Sequence, residues 1–212
     1  MTGRDGAADV SEAGVDALTA IHTSIAMRYL RPDPVPDALL LRVLAAATCA
    51  SSPGNSQGWE FVVVRDAERR RQLGAAIRDG MARFRPQVPT DGDPSRRRML
   101  AGANHLLDHL HEVPVMIFVC GGAVYPAAAP STDWIPSTLY PAAQNLIVAA
   151  RALGLGSVFT AYHKVAEPRV REILGIPDAV QIAVTIPLGF PARPFRPVKR
   201  RPLEEVVRWD RW

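Results

Sequence analysis

The sequence predicts an α+β sandwich, and three observations carry that prediction. Segments with helical periodicity outnumber those that read as strands, so the two kinds do not alternate strictly as they would in a doubly wound sheet. The clearest strands, residues 113–120 and 180–188, are continuous apolar runs, the pattern of strands covered on both faces. With 212 residues, 48% hydrophobic and 22% charged, the chain can bury a sizeable core as one domain. We place that domain over residues 15–190, between a polar tail (1–14) and a C-terminal extension (191–212).

Residues 1–14 are polar, small and unpatterned, the composition of a disordered tail. Val15, Leu18, Ile21, His22 and Ile25 recur at helical spacing and predict an amphipathic helix that stops before Pro32. Residues 32–37 form a rigid Pro-rich connector, with Pro36 in the first turn of a second helix through Leu40, Val43, Leu44 and Ala47. That helix is apolar on two faces, hence central to the core, and it delivers the chain into residues 51–59. A buried strand follows at 61–64. Leu73, Ile77, Met81 and Phe84 mark a third helix, residues 86–94 a surface break, and Met99, Ala103, Leu106, Leu107 and Leu110 a fourth helix before strand 113–120. Residues 121–136 are a long, apolar, turn-rich loop carrying Tyr125 and Trp134; loops of that length in a compact domain are usually functional or disordered. A helix over 137–153, a strand at 156–160, a short helix at 165–174 closed by Gly175, and strand 180–188 complete the domain. Residues 191–202, rich in proline and arginine, cannot pack as helix or central strand, so they must run along a surface, of this subunit or another.

No apolar run approaches the roughly 18–20 residues that cross a bilayer, and the first residues are acids and glycines rather than a signal core. The expectation is a cytoplasmic protein. Cys49 and Cys120 are too few for a disulfide framework and read as small buried hydrophobes. The formal charge of +4 is mild, but Arg193, Arg196, Lys199, Arg200 and Arg201 cluster, which suits a local anion site rather than a nucleic-acid face.

The usual catalytic signatures are missing. There is no P-loop and no Gly-x-Ser-x-Gly elbow, and Gly154-Leu155-Gly156 supplies only the first two glycines of a dinucleotide fingerprint, after a helix rather than a strand. His105 and His109 lie one helical turn apart, near Asp108, His111 and Glu112. Three readings stay open for them: a metal site, a phosphate or flavin contact from His109, and ordinary helix histidines. The Glu of a His-Glu-x-x-His site is missing, and no metal is assigned.

Ser51-Ser52-Pro53-Gly54-Asn55-Ser56-Gln57-Gly58-Trp59 reads as a ligand loop. Small, turn-forming residues expose backbone N–H groups, Asn55 and Gln57 add amides that donate and accept, and Trp59 anchors the loop on a strand. Loop, basic tail and the lack of a protein-borne nucleophile converge on a bound cofactor that performs the chemistry. An isoalloxazine ring needs amide partners along its pyrimidine edge, an N–H near N5 and cations at its phosphate.

Six segments, in order, resemble the FMN-dependent nitroreductase family: Met27 to Pro36, Ala50 to Trp59, Gln144-Asn145-Leu146 through Ser157, Leu174-Gly175-Ile176-Pro177, Pro187 to Pro191, and Lys199-Arg200-Arg201-Pro202-Leu203. The resemblance implies a three-layer sandwich with a mostly antiparallel central sheet flanked by helices. It also implies an interlocked homodimer with two FMN sites at the interface, in which C-terminal segments, including Trp209 and Trp212, embrace the partner. By the same resemblance Arg28, Lys199 and Arg201 hold the FMN phosphate and ribityl chain. Ser51, Ser52, Pro53 and Asn55 cover the flavin from the partner subunit, Gln57 lies beside the ring, and the backbone of Thr160, Ala161 and Tyr162 faces N5. Tyr125 and Trp134 are substrate-pocket candidates, with Tyr162 beside them; core packing is the other reading of all three.

The chain also departs from the family pattern. Ser24-Ile25-Ala26 stands where Arg-Arg-Ser is common, Ser51 and Gly58 replace prolines, and Ala161-Tyr162 replaces Glu-Gly. The implied activity is ping-pong hydride transfer from NADH or NADPH to a nitroaromatic, quinone or enone acceptor, with no side-chain acid or base. A non-catalytic flavin-binding or flavin-sequestering dimer is the alternative, and an interaction dimer without cofactor is a third.

Overall fold

The computed structural model describes residues 14–212; the expected N-terminal tail, Gly14 apart, lies outside the described residues. Helix α1 (Ala17–Thr23) starts where the Asp16 carboxylate accepts the Thr19 N–H at 3.0 Å, an N-cap that satisfies a donor left free by the first turn. Helix α2 (Asp37–Ala47) leads through a turn to strand β1 (Trp59–Val64). Helices α3 (Ala67–Met81) and α4 (Pro94–Asp108) are capped by Asp66 and Asp93. Strand β2 (Val115–Gly121), helix α5 (Ile135–Ala152), the two-residue strand β3 (Gly156–Ser157), helix α6 (Glu167–Leu174), strand β4 (Gln181–Gly189) and a short helix α7 (Leu203–Val206) follow.

The four strands form one sheet in the order β1-β2-β4-β3, and every pairing is antiparallel. Strand side chains alternate between faces, and β2 feeds two cores accordingly. Val115, Ile117 and Val119 enter a cluster with Leu40 and Val43 of α2 and Leu139, Leu146 and Ala150 of α5. Met116, Phe118 and Cys120 enter another with Leu73 and Ile77 of α3, Leu106 and Leu107 of α4 and Val170 of α6. The architecture is therefore helices, sheet, helices. Pairing jumps from Val119–Val184 to Cys120–Ile182, a bulge at Ala183 that keeps Ile182 and Val184 on opposite faces.

Several expectations change. The first helix ends at Thr23, well before Pro32, because the following backbone is drawn into extended pairing: Met27 N–H donates to Ser157 O at 3.0 Å and Arg31 N–H to Phe190 O at 2.8 Å. Its apolar stripe is not buried; Leu18 is 66% and Ile21 48% exposed, and Ala20 is the residue packed inward. Cys49 is exposed in the turn after α2, with its thiol on Ala45 O, whereas Cys120 is buried and its pKa is pushed up to about 12 by desolvation. Phe84 falls beyond the end of α3 and is exposed. The strand expected at 156–160 shrinks to two residues, with Thr160 returning as an isolated bridge to Thr185. Among the described residues no helix is long and apolar enough to cross a membrane.

Phe118 is fully buried at the centre of β2. Phe118→Ala is expected to cost about 3–5 kcal/mol, read as a lower urea midpoint with an unchanged denaturant slope.

Candidate functional site

The C-terminal tail makes one wall of the site by pairing with the end of α1 and the segment that follows it. Ala192 N–H donates to Tyr29 O at 2.9 Å, Val198 N–H donates to His22 O at 2.8 Å, and Leu30 bridges Pro191. Arg151 stacks on Phe195, 4.0 Å from its ring centroid, and fixes the tail from α5. Residues 192–198 of the tail thus lie on the body of the same chain. From Leu203 onward the chain is exposed, and Trp209 and Trp212 are 83% and 102% accessible.

Between tail, segment 25–29 and the first turns of α4 lies a groove of about 440 Å³, lined by Arg28, Arg98, Arg193, Arg196, Lys199 and Arg200. No carboxylate lines it, and among the described residues none of the six is ion-paired. Asp93 feels Arg98 and Lys199, but its carboxylate is occupied by the N–H groups of Ser95 and Arg96, which hold its pKa down. Ile25, Ala26 and Arg200 also line a second recess of about 210 Å³ with Gln144, Ile147 and Phe159. A basic groove thus shares a wall with a smaller recess lined by Ile25, Ala26, Ile147, Val158 and Phe159 and by the Gln144 amide, a set that fits a phosphate on one side and an aromatic ring on the other. A larger groove of about 670 Å³ between β1 and α6 contains none of these residues.

The 51–58 loop lies elsewhere. Gly54, Asn55 and Gln57 all adopt positive φ, at 56°, 52° and 49°, a conformation that costs the two non-glycine residues roughly 1–2 kcal/mol each. The loop is held by Gln57 N–H on Ser52 Oγ at 3.1 Å, by Asn55 N–H on Ser52 O and by Ser56 N–H on Pro53 O. A Cβ on Gly54 would come within 2.6 Å of the Tyr125 ring, and one on Gly121 would collide with the Gly58 carbonyl. Trp134 meets Tyr125 edge-on at 5.6 Å. Ser51, Asn55 and Gln57 are exposed, Ser52 and Pro53 half-buried, and the Ser56 hydroxyl is buried with no partner among the described residues.

Strand register shows how far apart these parts are. Trp59, which ends the loop, pairs with Gly121 at one end of β2; Leu188, next to the groove segments, pairs with Val115 at the other. At about 3.3 Å per strand residue the separation is roughly 20 Å. Thr160 lies between them, bridged to Thr185. Ala161 is exposed, while the Tyr162 ring packs among the core residues beneath α4, its hydroxyl 3.5 Å from Ala103 O and its pKa raised by burial against the pull of Arg28. Sequence reasoning passed over Arg98, hidden in the run Arg96-Arg97-Arg98 of an exposed helix face, and preferred Arg201 to Arg200. Arg200 lines both cavities; Arg201 lines neither. His105 stacks between Tyr29 and His109, centroids 4.3 Å from each. Among the described residues no three metal-ligating side chains converge.

His163, fully buried directly after this segment, shares a 2.9 Å hydrogen bond with Thr185 Oγ1 and has no partner for Nε2 among the described residues. Burial, assisted by Lys164, lowers its pKa from 6.5 to about 4. Below the unfolded value the unfolded chain takes up a proton that the folded chain refuses, so stability falls as pH drops from about 6.5 towards 4. Between pH 7 and about pH 5 this loss is expected to be on the order of 2 kcal/mol. Urea unfolding of His163→Gln should lack that increment, whatever its stability at neutral pH.

Comparison with known proteins places the chain in a family. The profile of the nitroreductase family matches residues 22–190. The chain is 34% identical over 207 residues to an NADH dehydrogenase from Thermus thermophilus, covering 92% of this chain and 96% of that protein. It is 30% identical over 184 residues to 5,6-dimethylbenzimidazole synthase from Rhodospirillum rubrum, covering 84% and 82%. Among solved structures, iodotyrosine deiodinase bound to FMN and 3-iodo-L-tyrosine has a TM-score of 0.72 at 19% identity, covering 93% of this chain and all of that one. A nitroreductase with bound FMN from Desulfitobacterium hafniense has a TM-score of 0.70 at 19% identity, covering 92% and 98%. With four-fifths of its length inside the family match and a relative above 30% identity along nearly the whole chain, this protein belongs to the nitroreductase family.

Proposed function

We propose that this protein is an FMN-dependent oxidoreductase that passes hydride from NADH or NADPH to a nitroaromatic, quinone or enone type of organic acceptor in a ping-pong cycle. The observation that carries the reading is the basic groove that shares a wall with the recess, both lined by residues 25 and 26 and Arg200. FMN, when bound, supplies the two-electron chemistry. Arg28, Lys199 and Arg200, with Arg201 adjacent, hold the phosphate by charge-assisted hydrogen bonds. Phe159 and Ile147 would offer the ring apolar walls and Gln144 an amide, and the backbone of Thr160, Ala161 and Tyr162 would supply its N–H partner. The name of the Thermus relative favours NADH as the reductant.

The 20 Å between loop and groove supports a site made by two chains. Ser51, Ser52, Pro53, Asn55 and Gln57 of one copy close over the recess of the other, and Tyr125 and Trp134 beside that loop shape the acceptor pocket and exclude water. Positioning then supplies the acceleration, since holding two reactants in contact replaces a bimolecular encounter. A second reading, a flavin-binding protein without turnover, is favoured by Ser24-Ile25-Ala26, which removes two cations common in the family.

Purified protein is expected to be yellow and dimeric by light scattering, and anaerobic NADH or NADPH should bleach it within seconds. Colour without bleaching would select the second reading; a colourless protein that takes up no added FMN would refute both. Replacing Lys199 by Ala should weaken FMN about tenfold or more while leaving riboflavin affinity unchanged, measured by fluorescence quenching.

A further inference from the structure

The groove carries more positive charge than a flavin phosphate uses. Arg28, Lys199 and Arg200 suffice for a group with at most two negative charges, and Arg98, Arg193 and Arg196 then still face the same space with no carboxylate in its lining. Like charges gathered this closely are tolerated where water screens them, and they attract a polyanion. Volume points the same way. At about 440 Å³ the groove falls in the size range of whole small-molecule sites rather than of a single oxyanion.

The additional cations are also supported. The Arg193 guanidinium lies 3.4 Å from the centroid of the Tyr29 ring, and that ring rests on His105. Arg98 projects from the first turns of α4, where Ser95 joins it in the lining of the groove. Met99, Pro194 and Pro197 give the same groove an apolar wall against which a sugar or base can lie.

We propose that the groove is a nucleotide-diphosphate site, in which Arg98, Arg193 and Arg196 hold the phosphates of an adenosine diphosphate moiety beside the flavin phosphate. Two molecules carry that chemistry: FAD taken in place of FMN, and the nicotinamide dinucleotide that delivers the hydride. The choice between them rests on the proposed flavin reading; the groove's taste for a nucleotide diphosphate does not.

The test titrates ADP calorimetrically into the protein, with FMN bound and without, for the wild type and for the Arg98→Ala, Arg196→Ala double variant. Both side chains are exposed, and melting curves check that the variant folds. ADP should bind the wild type and bind the variant about tenfold more weakly or worse, while the ratio of FMN to riboflavin affinity stays within about twofold. A fall in the FAD to FMN affinity ratio then identifies FAD as the source. A raised KM for NADH or NADPH at constant kcat identifies the reductant. ADP that fails to bind, or binds both proteins alike, overturns the proposal. So does an equal loss of FMN selectivity over riboflavin, which would show these arginines replacing the cations missing at Ser24 and Ile25. If the protein takes no flavin at all, the functional reading fails, and the flavin-free titration still decides the groove.

Discussion

A strand covered on both faces leaves no place for polar side chains, and its backbone groups must be paired along both edges because no water reaches them. Strand β2 is under that constraint at every residue: all seven are buried, and β1 and β4 pair with its two edges. Polar function is thereby driven to the strand ends. At the Gly121 end the strained 51–58 loop packs on Tyr125, and at the Val115 end the segment after α1 and the C-terminal tail meet. The separation of loop from groove, roughly 20 Å, follows from the length of β2.

The Val115 end is held by main-chain bonds rather than by charge. Arg31, Ala192 and Val198 each donate an N–H across the junction of tail and segment, and bonds of this kind contribute about 0.5–1.5 kcal/mol each. That support does not depend on ionic strength, so the side chains above it are free to be uniformly positive. Some arginines elsewhere are paired, Arg85 with Asp108 and Arg171 with Glu167, for example. What sets the groove apart is that six cations share one space with no carboxylate in its lining.

Much of this was legible in advance. The apolar runs at 113–120 and 180–188 correspond to β2 and β4 within two residues, because burial on both faces leaves a strong signal in sequence. The cluster of cations at 193–201 was legible as a local anion site, and four of the six groove cations belong to that cluster. What could not be read was register in space. Arg200 and Arg201 are adjacent in the chain, yet the tail conformation turns only the former into both cavities. Arg98 belongs to the groove through the packing of α4 against Arg28 and Tyr29 at Gly102, a tertiary contact with no local pattern. The first helix misled because periodicity reports an apolar stripe without saying what covers it.

That uncovered stripe bears on assembly. Leu18 and Ile21 of α1 lie on a helix that packs against α5. On α5 itself Tyr140 is exposed and touches exposed Phe159, centroids 5.8 Å apart, beside the recess. Beyond α7 the exposed Trp209 and Trp212 add two indoles, the second touched by Arg208. Each large apolar side chain removed from water gains about 1.5–3 kcal/mol, so together they favour association strongly. A two-fold interface uses one patch twice: whatever carries the tail of one copy onto its partner carries the partner's tail back. The same operation can bring a loop at one end of each sheet to a recess at the other end of its neighbour. Under the proposed two-chain reading, burial of this apolar face and closure of the site are one event.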